Sequence, residues 1–300
     1  MMSTITLTKH HGLGNDFLVL ADVDGALDLS LAEGDALAHH LCDRHRGIGA
    51  DGLLLALPAP EDGSAAVTMR LHNAGGGVAE MSGNGIRCFA QAVVDGGLVP
   101  AGTLRVATDA GLRVVEVGPS DAHGLADIRV GMGVAKLDSI PLGTIAGAGR
   151  VRTVDVGNPH VVIEGDPQSV DLAVLGPEVE APYLASSGGI NVEVIASASR
   201  GPRGIDAIDM VVWERGVGIT QACGTGATAA ALVAHRWGLV GHIVEVRQPG
   251  GSSVVEIAGD AEVDGETAGD TAVLTLVGPS QFIARIEVPR RLVDSIIGRA

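Results

Sequence analysis

Two short segments of this 300-residue chain are near copies of one another. Met81-Ser82-Gly83-Asn84-Gly85 and Ala222-Cys223-Gly224-Thr225-Gly226 lie 141 residues apart, and other landmarks return at nearly the same offset. Gly14-Asn15 comes back as Gly157-Asn158, and Asp51–Leu55 as Asn191–Ile195. Asn73 stands nine residues before Ser82, and Glu214 stands nine before Cys223. An ordered set of matches at one period constrains a fold more than any single motif, because each copy must build the same supersecondary unit. The chain therefore reads as two α/β (α+β) units of roughly 140 residues each. The first covers 1–133, with 279–300 returning to it as an added strand over Phe282–Val288, and the second covers 134–278.

Hydropathy patterning supplies the elements. Short β-branched runs such as Phe17–Ala21, Val67–Leu71, Leu112–Val117, Val161–Glu164, Ala207–Trp213 and Ser253–Ile257 read as strands, many of them alternating. Alternation implies sheets that are mainly antiparallel. Ile86–Asp95 and Ala227–Trp237 are apolar nearly all round, the mark of a buried helix. The expected architecture is a mainly antiparallel sheet wrapped around a central buried helix, made twice and related by a pseudo-two-fold axis. A further helix is expected over Leu31–Arg44, with Ser30 and Glu33 as a capping box, and Gly131–Lys136 reads as a turn or linker. Gly47-x-Gly49-x-x-Gly52 matches the dinucleotide-binding pattern in letters only. It follows a helix and opens a strand, the reverse of what that pattern needs.

Composition removes several classes. A net charge of −16 opposes nucleic-acid and anionic-membrane partners, which need a positive field. Six aromatic residues are too few for base-stacking platforms. Lys9 and Lys136 are the only lysines and neither has a motif-like setting, so a Schiff-base cofactor is not expected. Three cysteines do not make a disulfide framework, and the first residues lack the pattern of a signal peptide; a cytoplasmic protein is expected. His39, His40, Cys42 and His45 drift around a helix face, so no metal is expected.

The chemistry lies at two helix starts. Ser82 and Cys223 each precede a Gly-x-Gly and a buried helix. The first N–H groups of a helix have no partner inside it, and with the macrodipole they suit a carboxylate or a developing oxyanion. A cysteine at such a place is expected to have a lowered pKa, and so to be the fast-reacting thiol of the three. Two such groups, one on either face of a bound molecule, suit inversion at a carbon by proton removal and return. Serine is also a good N-cap, and Cys42 and Cys88 read as packing residues.

His11–Phe17, Arg46–Gly52, Gly157-Asn158-Pro159-His160, Asn191-Val192-Glu193 and Glu214-Arg215-Gly216 followed by Thr220–Gly226 resemble the signatures of the diaminopimelate epimerase family, in the family's order and over nearly the whole chain. The resemblance implies an isomerase that interconverts LL- and meso-diaminopimelate, for lysine and peptidoglycan precursor synthesis, as a homodimer without cofactor or metal. Cys223 and Ser82 would be the catalytic pair, with His160 and Glu214 assisting. Asn15, Asn73, Asn158, Asn191 and Arg215 would hold the distal end of the substrate. Gly83-Asn84 and Gly224-Thr225 would take the reacting carboxylate, with Glu214 close to the α-amino group.

Three positions depart from the family. Ser82 stands where it has its first catalytic cysteine, Asn73-Ala74-Gly75-Gly76-Gly77 replaces Asn-Ala-Asp-Gly-Ser, and the tyrosine some members use in dimer contacts is missing, Tyr183 being the only one. A hydroxyl is far less acidic than a thiol and needs a base, for which His160 is the motif candidate. A natural serine branch, an impaired chain and a relative with another substrate, such as a proline- or histidine-type amino acid, all fit Ser82. So does a non-catalytic amino-acid binder.

Overall fold

A computed structural model of the chain describes residues 3–138, 140, 145, 149–201, 203–259, 262–263, 266–267 and 271–299. The chain divides into two compact units, residues 1–130 with 279–300, and residues 131–278.

The first unit holds β1 (Thr4–Gly12), β2 (Asn15–Ala21), α1 (Leu31–Leu41), β3 (Gly52–Leu57), β4 (Val67–Asn73), β5 (Val78–Ala79), α2 (Gly83–Asp95), β6 (Gly102–Thr108), β7 (Gly111–Val117) and the start of β8 (Leu125–Leu137). The second holds the rest of β8, then β9 (Val151–Asp155), β10 (Pro159–Glu164), α3 (Leu172–Glu180), α4 (Leu184–Ser187), β11 (Asn191–Ala198), β12 (Asp206–Glu214), β13 (Gly218–Thr220), α5 (Gly224–Arg236), β14 (Ile243–Gln248), β15 (Gly251–Ala258), β16 (Glu262–Val263) and β17 (Glu266–Thr267). β18 (Thr271–Pro289) gives its first part to the second unit and its last to the first, followed by α6 (Arg290–Ile296).

The two sheets have the same topology. In the first unit the order is β18-β1-β2-β3-β4-β6-β7-β8, and in the second β8-β9-β10-β11-β12-β14-β15-β18. Along either order the third and fifth pairings are parallel and the others antiparallel. Each sheet is therefore mainly antiparallel, and the repeat seen in the residues is a repeat of topology. The central strands β3 and β11 carry runs such as Leu53-Leu54-Leu55 and Val192–Ile195 that are buried at every position, because both faces of the sheet are covered. In the first unit α1 and α6 cover one face, over Leu18, Leu20, Leu53 and Leu55. α2 packs against β1, β2, β3, β4 and β7. In the second α3 covers Val161, Ile163, Val192 and Val194, and α5 packs against β9–β12, β14 and β15. Residues Gly83 through Val93 of α2 and Gly224 through Ala234 of α5 are all buried.

Four expectations need correction. Both central helices begin three residues earlier than their apolar runs, since Ser82 and Cys223 are the N-caps and each Gly-x-Gly forms the first turn. α2 is not apolar all round: Arg87 and Gln91 are buried in it, the latter bonded to His10, Gly124 and Ser280. α1 keeps its Ser30–Glu33 capping box but stops at Leu41, where Asp43 accepts from the N–H groups of His45 and Arg46 in a turn that leaves Arg44 to pair with Asp16 and Asp51. Gly131–Lys136 is no linker. It lies inside β8, where burial alternates and slips phase at Gly133, whose φ of +85° only glycine adopts easily.

Candidate active site

Ser82 and Cys223 have the same local geometry. Their backbones are extended, at φ −138°, ψ 121° and φ −121°, ψ 119°. Each side chain accepts from the N–H three residues on, Gly85 N to Ser82 Oγ at 3.0 Å and Gly226 N to Cys223 Sγ at 3.3 Å. That capping bond removes one orphan N–H of the helix and leaves those of Gly83-Asn84 and Gly224-Thr225 at the helix start. Side chains would crowd these turns: a Cβ at Gly226 would lie 2.6 Å from the Glu193 carboxylate.

In the first unit the hairpin between β1 and β2, turned by Leu13 and Gly14 at positive φ, brings Asn15 beside the α2 start. Asn15 Nδ2 donates to Asp51 Oδ2 at 2.8 Å, and Asn84 Nδ2 lies 3.5 Å from Asn15 Oδ1. Arg87 Nη2 completes the chain by donating to Asn84 Oδ1 at 2.7 Å. Asn73 ends β4 opposite Gly52, with its side chain exposed.

In the second unit the matching hairpin places Asn158 and His160. Asn158 Nδ2 lies 3.5 Å from Thr225 Oγ1, which is 3.4 Å from Cys223 Sγ. His160 Nε2 lies 3.0 Å from Asn158 Oδ1, and its Nδ1 lies 2.7 Å from Glu193 Oε1. Asn191 Nδ2 donates to the Pro159 carbonyl at 2.9 Å and its Oδ1 accepts from Arg215 N at 2.9 Å, fixing the turn after β12. Glu214 accepts from the hydroxyl of Thr220, and its carboxylate lies close enough to Cys223 to act on the thiol's ionisation. Gln248 Oε1 accepts from Cys223 N at 2.7 Å. The second unit thus links Asn158, His160, Thr225 and Cys223 at the α5 start through hydrogen bonds, with Asn191 bonded to Arg215 N and Glu214 to Thr220.

The Cys223 thiol does not behave as its helix position suggests. Burial pushes its pKa well up, and the carboxylates of Glu214 and Glu193 push it further, against hydrogen bonds from Thr225 and Gly226. Desolvation and two acids outweigh the helix terminus, so the resting thiol keeps its proton. Burial also raises the Glu214 carboxyl, opposed by the Thr220 hydrogen bond and the neighbouring Cys223 thiol. Cys42 and Cys88 are pushed by burial up to about 12.

Sequence reasoning assigned no role to Glu193, Asp51 or Arg87. Glu193 is completely buried, and its Oε2 has no hydrogen-bond partner. An acid inside the apolar strand Val192–Ile195, and a lone charge in the buried helix at Arg87, were the available signals. Among the described residues no group of three or more His, Cys, Asp or Glu could hold a metal ion, and no helix is long and apolar enough to cross a membrane.

The family sequence model for diaminopimelate epimerase matches residues 7–137 and 152–273. The diaminopimelate epimerase of Corynebacterium glutamicum is 37% identical, over 96% of this chain and 99% of its own length. That of Methanothermobacter thermautotrophicus is 35% identical, over 91% of this chain and 98% of its own. Among solved structures, a hydroxyproline epimerase from Agrobacterium vitis, with trans-4-hydroxy-L-proline bound, superposes with a TM-score of 0.70 at 19% identity, covering 96% of this chain and 94% of that one. A phenazine biosynthesis protein from Bacillus anthracis gives 0.71 at 15% identity, covering 96% and 99%. At those identities the two structures bear on the fold.

Proposed function

We propose, from the premise that this chain belongs to the diaminopimelate epimerase family, that it interconverts LL- and meso-diaminopimelate by moving the proton at one α-carbon. The protein is an isomerase of the epimerase type. One observation carries the mechanism: the same N-cap, Gly-x-Gly and buried helix occur once in each unit, with Ser82 and Cys223 at the equivalent place. In this reading the two groups serve opposite faces of the α-carbon. One takes the α-proton, and the other returns a proton from the far side, so that configuration inverts with no net change in charge or composition. The N–H groups of Gly83-Asn84 and Gly224-Thr225 hold the α-carboxylate and stabilise the enolate-like transition state. Asn15, Asn73, Asn158, Asn191 and Arg215 hold the distal amino-acid end.

Cys223 is the stronger member. Its resting thiol is a proton donor, and the neighbouring Glu214 carboxylate is the group to take the proton when a thiolate base is required. Ser82 has no comparable acidity, and exchange that needs a base on its side is the slower half. His160, held by Glu193, assists at the α-amino group. The same reading makes the enzyme a cytoplasmic homodimer that needs no cofactor or metal.

Incubation with LL- and with meso-diaminopimelate in heavy water tests this. Deuterium uptake at the α-carbon with interconversion of the isomers is expected. Tight binding without exchange, or racemisation of another amino acid only, would overturn it.

A further inference from the structure

Arg87 of α2 carries a charge that the mechanism above leaves unused. It is the largest of the fully buried side chains, and among the described residues no carboxylate pairs with it. Its donors reach three neutral oxygens: Nη1 to the Gly83 carbonyl at 3.0 Å, Nη2 to Asn84 Oδ1 at 2.7 Å, and Nε to the Pro279 carbonyl at 3.1 Å. Burial lowers its pKa to about 10, which leaves it a cation at neutral pH. A buried charge without a counter-charge is costly and needs a reason to be kept.

The second unit shows what the same place looks like without the charge. Thr228 stands 141 residues after Arg87, and its Oγ1 donates to the Gly224 carbonyl at 2.8 Å, the carbonyl equivalent to that of Gly83. The strand registers extend the contrast. Phe17 pairs with Gly52 as His160 pairs with Asn191, and Gly52 pairs with Asn73. The register thus corrects the sequence match of Asp51–Leu55 with Asn191–Ile195 by one residue, making Gly52 the counterpart of Asn191, and the places of His160, Glu193 and Glu214 are filled in the first unit by Phe17, Leu54 and Asn73. The α5 start is set among a buried acid, Glu193, and a half-buried one, Glu214, whereas the α2 start has a buried cation behind it.

We propose that Arg87 is a positioning residue of the first unit: it clamps the Gly83-Asn84 turn and places a positive charge behind the N–H groups that receive the substrate's carboxylate. This rests on the function proposed above. As the α-proton leaves, negative charge moves onto that carboxylate, and a fixed cation in a water-poor site stabilises it without reorganising. The clamp and the charge are separable, since lysine keeps the charge and loses the fork that holds two acceptors at once.

The experiment compares Arg87→Gln and Arg87→Lys with the unaltered chain, measuring α-proton exchange from both isomers in heavy water and the folded fraction by circular dichroism. Arg87→Gln is expected to lose roughly 10²-fold in kcat/KM per folded molecule for both isomers. Arg87→Lys is expected to regain a large part of it. A folded Arg87→Gln protein with unchanged exchange overturns this inference alone. Absence of exchange in the unaltered chain overturns the function and this inference with it. Should Arg87→Gln not fold, the Nε–H resonance of Arg87 in ¹⁵N-arginine-labelled unaltered protein decides, assigned through Arg87→Lys. A shift on adding meso-diaminopimelate supports the inference, and no shift overturns it.

Discussion

The Glu193 carboxylate lies 2.7 Å from Nδ1 of His160, and both side chains have no solvent exposure. The other ring nitrogen faces Asn158, so the imidazole is held from both sides. Glu193→Gln keeps the shape but removes the charge that orients and supports the ring. Loss of an orienting carboxylate behind a histidine costs orders of magnitude elsewhere. Epimerisation should fall by at least about 10²-fold with the fold retained; an isomer-interconversion assay beside a melting curve checks this, and a fully active Glu193→Gln protein would refute the role given to the pair.

Cys223 should alkylate slowly at neutral pH and faster as pH rises, because burial, Glu214 and Glu193 all disfavour its thiolate. Removing one of those charges by Glu214→Gln should increase its labelling rate at a fixed pH by several-fold, of the size expected for loss of one nearby charge. Timed iodoacetamide labelling with peptide mapping measures both. Rapid labelling of Cys223 at pH 7 in the unaltered chain would show that the helix terminus dominates after all.

Glu214 also makes stability depend on pH. Its folded-state pKa is raised above the ordinary value of 4.5, so the native state holds its proton more tightly than the unfolded one. The contribution is fully present below about 4.5 and is lost as pH rises through the folded value. The denaturation midpoint of Glu214→Gln, relative to that of the unaltered chain, should therefore improve between pH 5 and pH 8. A constant difference would contradict the raised carboxyl.

Ser82→Cys should speed exchange, because a thiolate forms at a pH where an alkoxide does not. The gain should be larger for the isomer whose α-proton faces position 82, with the final isomer ratio unchanged. Stability should drop by about 0.5–1 kcal/mol, since sulfur replaces the oxygen that caps Gly85 N. If the serine form already exchanges both isomers rapidly and the cysteine form is slower, Ser82 is an adapted catalytic group.

Gly34 in α1 faces the buried ring of His72, and a Cβ there would run into the imidazole. Gly→Ala in a helix interior usually gains about 1 kcal/mol. Here Gly34→Ala should instead destabilise by about 1–3 kcal/mol, the usual cost of overpacking. It should also disturb the loop after Asn73, because the Asp35 carboxylate joins His72 Nδ1 to Gly77 N. Chemical denaturation measures the first effect and KM for diaminopimelate the second.

Features that neighbouring residues decide together could be read from the chain alone. The 141-residue repeat announced one unit built twice. The spacing of Ser82 and Cys223 before Gly-x-Gly marked two N-caps, and Ser30 with Glu33 marked the start of α1. Capping, turn chemistry and periodicity are local, and are readable one segment at a time. The protonation of Cys223 depends instead on packing, because desolvation and the charge of Glu193, thirty residues away in the chain, oppose a local helix-terminus effect. Gly131–Lys136 became strand and not linker because β8 runs on through it, from its pairing with β7 at Val130 to its pairing with β9 at Lys136, and buries Met132 and Ala135 on the way. The roles of Glu193 and Arg87 likewise waited on the fold, since a charge in an apolar segment acquires meaning only from the groups that packing brings against it.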